Sequence, residues 1–72
     1  MARKKQPKRA DLRVADHGSI FLLRGETPAG RDWIGENIPG DAMTFGPAIV
    51  VEHRYILDIV QGAMNDGLEV TL

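Results

Sequence analysis

The residues best placed to do chemistry are Glu52, His53 and Arg54, where an imidazole stands between a carboxylate and a guanidinium. They follow the apolar run Ala48-Ile49-Val50-Val51 and precede a stretch of helical periodicity. They therefore sit at the carboxyl end of an expected strand, a place where α/β folds often put sites. His17 supplies a second imidazole, which Asp16 beside it could orient. A catalytic zinc usually takes three protein ligands, and the chain has no His-x-x-x-His pair, no Glu-x-x-His pair and no cysteine. Ser19 is the only serine and lies in no Gly-x-Ser-x-Gly elbow. Gly25, Gly30 and Gly35 do not make a phosphate-binding fingerprint. No catalytic residue, metal or cofactor is therefore assigned, and the chain is expected not to be an enzyme. The plainer account of Glu52-His53-Arg54 is that Glu52 or His53 caps a helix while Arg54 pairs with Asp58 one turn on. For His17 the plainer account is an exposed turn residue.

A second constellation is electrostatic. Arg3, Lys4, Lys5, Lys8, Arg9 and Arg13 face only Asp11 within residues 1–13, a balance of +5, whereas residues 14–72 hold three arginines against nine carboxylates, a balance of −6. The overall charge of −1 hides this polarity. Residues 1–10 have no apolar period and contain Pro7, so they are expected to form a disordered basic arm beside a single small domain over residues 11–72. Such an arm, with Arg3, Lys4, Lys5, Lys8 and Arg9 as its cations, suits phosphate contacts. It has no aromatic residue for base stacking, so contact with nucleic acid would be blind to sequence. A solubilising tail is the competing account.

The elements that must position these residues follow from periodicity and punctuation. Leu12 to Ala15 and Ser19 to Arg24 read as an antiparallel hairpin around Asp16-His17-Gly18-Ser19, with the short first strand at an edge. Thr27-Pro28 is a helix start, with Thr27 as N-cap and Pro28 in the first turn. Ala29, Trp33, Ile34 and Ile38 make that helix's stripe, Trp33 being its anchor, and Pro39-Gly40 ends it. Residues 41–46 read as a loop, and Ala48 to Val51 as the central strand. From Tyr55 onwards Tyr55, Ile56, Ile59, Val60, Ala63 and Met64 share one helical face, widened by Leu57. Asn65-Asp66-Gly67 stops the helix, and Leu68 to Leu72 alternates as a last strand. The expected fold is α+β or small α/β: β-β-α-β-α-β, with a four-stranded mixed sheet, both helices on one face, and a parallel crossover from the central to the last strand.

The strands are apolar on both sides, so helices on one face leave an apolar face open. Phe21, Leu23, Ile49 and Val51 are taken as that open interface, joining a homodimer or docking another protein. No apolar run approaches the roughly 18 residues that span a bilayer, and no hydrophobic segment of signal-peptide length follows the basic residues, so a soluble cytoplasmic protein with no membrane partner is expected.

The residues His17-Gly18-Ser19-Ile20, Thr27-Pro28-Ala29, Trp33, Glu36-Asn37-Ile38-Pro39, Val50-Val51-Glu52-His53-Arg54-Tyr55-Ile56 and Asp66-Gly67-Leu68 resemble a group of small hypothetical proteins of proteobacteria and their mobile elements. The resemblance covers residues 12–72 and leaves out the basic arm. It implies a bacterial, cytoplasmic setting linked to phage or plasmid, and no activity or site residue. Two functions follow from the sequence as expectations. One is a non-enzymatic accessory protein that engages nucleic acid or a nucleoprotein complex through its arm. The other is a homodimeric interaction module, such as a phage- or plasmid-encoded inhibitor or regulator, that acts through its acidic body and apolar sheet face.

Overall fold

The computed structural model describes residues 10–72. The expectation of a disordered arm over residues 1–10 therefore lies, but for Ala10, outside the described residues. The elements are β1 (Leu12–Asp16), β2 (Ile20–Gly25), α1 (Pro28–Asn37), β3 (Thr44–Phe45), β4 (Ala48–Glu52), α2 (His53–Asn65) and β5 (Val70–Thr71). They form an α+β fold with a five-stranded mixed sheet in the order β3-β4-β2-β1-β5. The hairpin, both helices and the last strand lie where periodicity puts them.

Four details of the expected topology are corrected. The loop before β4 contains β3, which pairs Phe45 with Ala48 across the two-residue turn Gly46-Pro47. Two residues are too few to show a period, so the sequence carries no strand signal there. The middle of the sheet is β2, not β4, and β1 is interior because β5 pairs with it in parallel, Leu12 beside Val70 and Arg13 beside Thr71. The α2 crossover from β4 to β5 thus passes over two intervening strands. Finally, β5 is two residues long because Leu68 and Glu69 are used otherwise. The Leu68 amide donates to the Ala63 carbonyl at 3.0 Å and the Gly67 amide to that of Met64 at 3.0 Å, closing α2 in a Schellman turn. Gly67 has φ +91°, the left-handed conformation that favours glycine at this position.

Register decides which side chains meet the helices. Val14 opposes Leu23, Leu23 opposes Ile49 and Phe21 opposes Val51, so all of these share one face. On that face Leu12, Val14, Leu23 and Val51 pack with Trp33 from α1 and with Ile56 and Ala63 from α2 in one buried cluster. Leu12 and Leu23 are fully buried, each contributing about 2–3 kcal/mol of transfer free energy. Both helices thus cover one face, and Phe21, Leu23, Ile49 and Val51 lie on it. The expected interface set is part of the helix-covered core side. An apolar run on both sides of a strand says that two faces are apolar, not which of them the helices take. The α2 stripe is also narrower than its periodicity suggests: Tyr55, Leu57 and Met64 are exposed.

Candidate functional site

The chain passes from β4 into α2 without a linker, which sets Glu52, His53 and Arg54 at the joint. Glu52 occupies the N-cap position with φ −73° and ψ 153°, but its side chain makes no capping hydrogen bond to the helix amides. Its Oε1 instead accepts from Arg54 Nε at 3.3 Å, and the Arg54 guanidinium lies 5.1 Å from the centre of the Tyr55 ring. The expected side-chain cap and the Arg54–Asp58 pair are thus replaced by contacts between near neighbours. The His53 ring packs against Phe21, with centroids 4.6 Å apart and planes at 41°. His53 therefore serves as an aromatic lid over the end of β2.

A cavity of about 490 Å³ adjoins this joint, walled by Ile38, Pro39, Ile49, Val51, Tyr55 and Ile59. Glu52, Asp58 and Asn37 are the polar members of an otherwise mostly apolar lining. His17 lies elsewhere, in the β1–β2 turn, and Asp16 Oδ1 accepts the Gly18 amide at 2.9 Å, orienting the turn instead of the imidazole. Among the described residues no three histidine, aspartate or glutamate side chains converge on a common point for a metal ion.

Two surfaces stand out instead, one at an end of the sheet and one on the sheet face that the helices leave open. The first is basic. Arg13 and Arg24 are direct cross-strand partners. Glu26 Oε2 lies between them, 3.6 Å from Arg13 Nε and 3.4 Å from Arg24 Nε. Arg31, in the first turns of α1, donates from Nη1 to the Gly25 carbonyl at 3.4 Å. Gly25 pairs with Leu12, the first residue of β1, so these arginines gather at the end of the sheet where the chain arrives from its basic segment. Arg3, Lys4, Lys5, Lys8 and Arg9 lie outside the described residues. The arginine cluster was legible in principle: once the turn is centred on Gly18-Ser19, antiparallel counting places position 13 opposite position 24.

The second surface is apolar. Ala15, Ile20, Leu22, Ala48 and Val50 alternate with the core residues and so face away from the helices. Met43 and Phe45, 70% and 67% exposed, stand beside them at the β3 edge. Two depressions of about 290 and 410 Å³ share Leu22 and Phe45, so the surface is a continuous shallow trough. His17 and Ile20 line it at the end remote from Arg24.

No helix among the described residues is long and apolar enough to cross a membrane. In comparisons with known proteins, no family model, curated protein or solved structure matches the chain.

Proposed function

We propose that the chain is a small non-enzymatic accessory protein that binds nucleic acid, alone or within a nucleoprotein complex, through the phosphate backbone. Its binding surface is the basic segment Arg3, Lys4, Lys5, Lys8 and Arg9 continued on the folded body by Arg13 and Arg31. The observation that carries this reading is the direct opposition of Arg13 and Arg24 where the basic segment joins the sheet. Glu26 bridges the two guanidinium groups and holds them side by side, so this end of the sheet presents two arginines against one carboxylate. The net positive charge left there favours a phosphate. The rest of the body is rich in carboxylates, which favours approach of a polyanion from this end only.

Fluorescence anisotropy of a labelled DNA duplex, titrated with the full chain at several salt concentrations, tests the reading. Replacing Arg13 and Arg31 together by glutamine should weaken binding several-fold and flatten the log–log salt slope by about two. An unchanged slope would remove the folded body from the binding surface. No binding by the intact chain at low salt would end the nucleic-acid reading altogether.

A further inference from the structure

We infer that the depression lined by Phe45, Arg24 and Arg13 binds one nucleotide unit of a single-stranded nucleic acid, with the base stacked on the Phe45 ring and the phosphate held by the two guanidinium groups. The inference rests on the nucleic-acid reading above and names the form of nucleic acid that the folded body takes. Its basis is one row of side chains across the strands. Phe45 on β3 pairs with Ala48 on β4. Ala48 lies one register step beyond the Leu23–Ile49 pair, and so beside Arg24 on β2. Arg24 in turn pairs with Arg13 on β1. From the β3 edge inwards the row is therefore aromatic ring, methyl group, guanidinium, guanidinium. All four residues line one depression of about 290 Å³, together with Gly46 and Pro47. All ten aspartates and glutamates lie among the described residues, and none of them lines it.

The spacing of the row suits a base. Neighbouring strands lie about 4.8 Å apart, so the backbones of Phe45 and Arg24, with β4 between them, stand about 10 Å apart. Ala48 fills that gap with no more than a methyl group. A flat ring entering above it lies about 5 Å from the phenyl on one side and from the guanidinium on the other, within the range of about 4.5–7 Å for stacked rings. Both neighbours attract a base, the phenyl through its face and the arginine as a stacking cation. The Phe45 ring is exposed, and the tight turn Gly46-Pro47, with Gly46 at φ +60°, holds it opposite Ala48. Glu26 meets both arginines at Nε. A guanidinium has five N–H donors, so the terminal amino groups of the pair are left for a phosphate. The other occupants fit less well. A duplex keeps its bases stacked inside and offers the row only phosphates. An acidic peptide engages the arginines and leaves the ring unused, and a phospholipid supplies a phosphate without a flat ring for the gap.

Fluorescence anisotropy of a labelled short thymidine strand, titrated with the full chain, tests the inference against a strand of abasic sites and a duplex, both of equal length. The wild type should bind the thymidine strand about ten-fold more tightly than the abasic one, the effect of one base stack. Phe45→Ala and Phe45→Leu should each remove that preference, and Phe45→Trp should keep it. None of the three should change duplex affinity by more than about two-fold, because phosphate contacts do not involve the ring. Near-ultraviolet circular dichroism of Trp33, the single tryptophan, shows whether the alanine and leucine variants are folded. If they are not, the comparison of thymidine and abasic strands on the wild type decides. Equal binding of those two strands by the wild type overturns the inference, and duplex binding in the same experiment leaves the phosphate reading standing. Binding to none of the three ends both. A base preference that survives Phe45→Ala also overturns the inference, as does a wild type that binds phosphatidylglycerol vesicles in place of the strand.

Discussion

Asp11 and Thr27 are joined by a 2.6 Å hydrogen bond from the threonine hydroxyl to Asp11 Oδ1, and that bond fixes the start of α1 against the start of β1. The same hydroxyl accepts the Gly30 amide at 3.1 Å as the helix cap, while Asp11 Oδ2 accepts the Glu69 amide at 3.0 Å just before β5. The Asp11 amide in turn donates to the Glu69 carbonyl at 2.9 Å, so one nearly buried residue ties three elements together. Hydrogen bonds to a carboxylate contribute about 1.5–3 kcal/mol each. Asp11→Ala should therefore destabilise the fold by about 2–4 kcal/mol in urea unfolding, and Thr27→Ala by about 1–2 kcal/mol. A loss below about 0.5 kcal/mol for Asp11→Ala would show that the clamp is not formed in solution.

Two glycines of α1 should respond to alanine in opposite senses. A Cβ on Gly30 would come within 2.8 Å of the Asp11 carbonyl carbon and closer still to its oxygen, and backbone cannot step aside as a flexible side chain does. Gly30→Ala should cost about 3 kcal/mol or more, because helix and strand must separate to admit it. A Cβ on Gly35 meets nothing within 4 Å, so Gly35→Ala should stabilise the helix by about 0.5–1 kcal/mol. Thermal unfolding of the two variants side by side gives the comparison, and equal effects would contradict the close packing of α1 on β1.

What was legible in the sequence depended on range. Thr27-Pro28 and Asp66-Gly67 announce helix ends through local chemistry, and both act in the structure as their residue types imply. Strand positions in the hairpin followed from a turn and its flanking alternation. Asp11 gave no signal because its partners are Thr27, 16 residues away, and Glu69, 58 residues away. The candidate surfaces were legible as composition but not as placement. Phe21 and Leu23 differ from Ile20 and Leu22 only by the face to which a long-range crossover assigns them. The Glu52-His53-Arg54 segment was found at the expected joint, yet Glu52 accepts from Arg54 in place of the expected cap, and His53 packs on Phe21, a partner distant in sequence.

Neighbouring valines test the assignment of faces directly. Val51 is 5% exposed and belongs to the core cluster, whereas Val50 points to the open side and is half-buried. Val51→Ala should cost about 1.5–3 kcal/mol through lost burial and a small cavity, while Val50→Ala at dilute monomer concentration should cost less than about 1 kcal/mol. Denaturant titrations at low protein concentration measure both. A larger loss at Val50 than at Val51 would invert the sheet.

The final prediction separates the basic segment from the body. Deleting residues 1–9 removes Arg3, Lys4, Lys5, Lys8 and Arg9, but keeps Asp11 and its bonds to Thr27 and Glu69, so the remaining chain should fold as before. If the five lost cations each neutralise one phosphate, the intact chain on duplex DNA should show a salt slope steeper by about four to five than the shortened one. What remains after deletion is the contribution of Arg13 and Arg31, a slope of about two, opposed by the carboxylates of the body. The shortened chain should thus lose most of its affinity at physiological salt and recover part of it at low salt. Unrelated duplex sequences should bind equally well, because phosphate contacts position a protein without reading bases. Anisotropy titrations of both chains at four salt concentrations measure the two slopes, and parallel lines would show that the basic segment does not touch the nucleic acid.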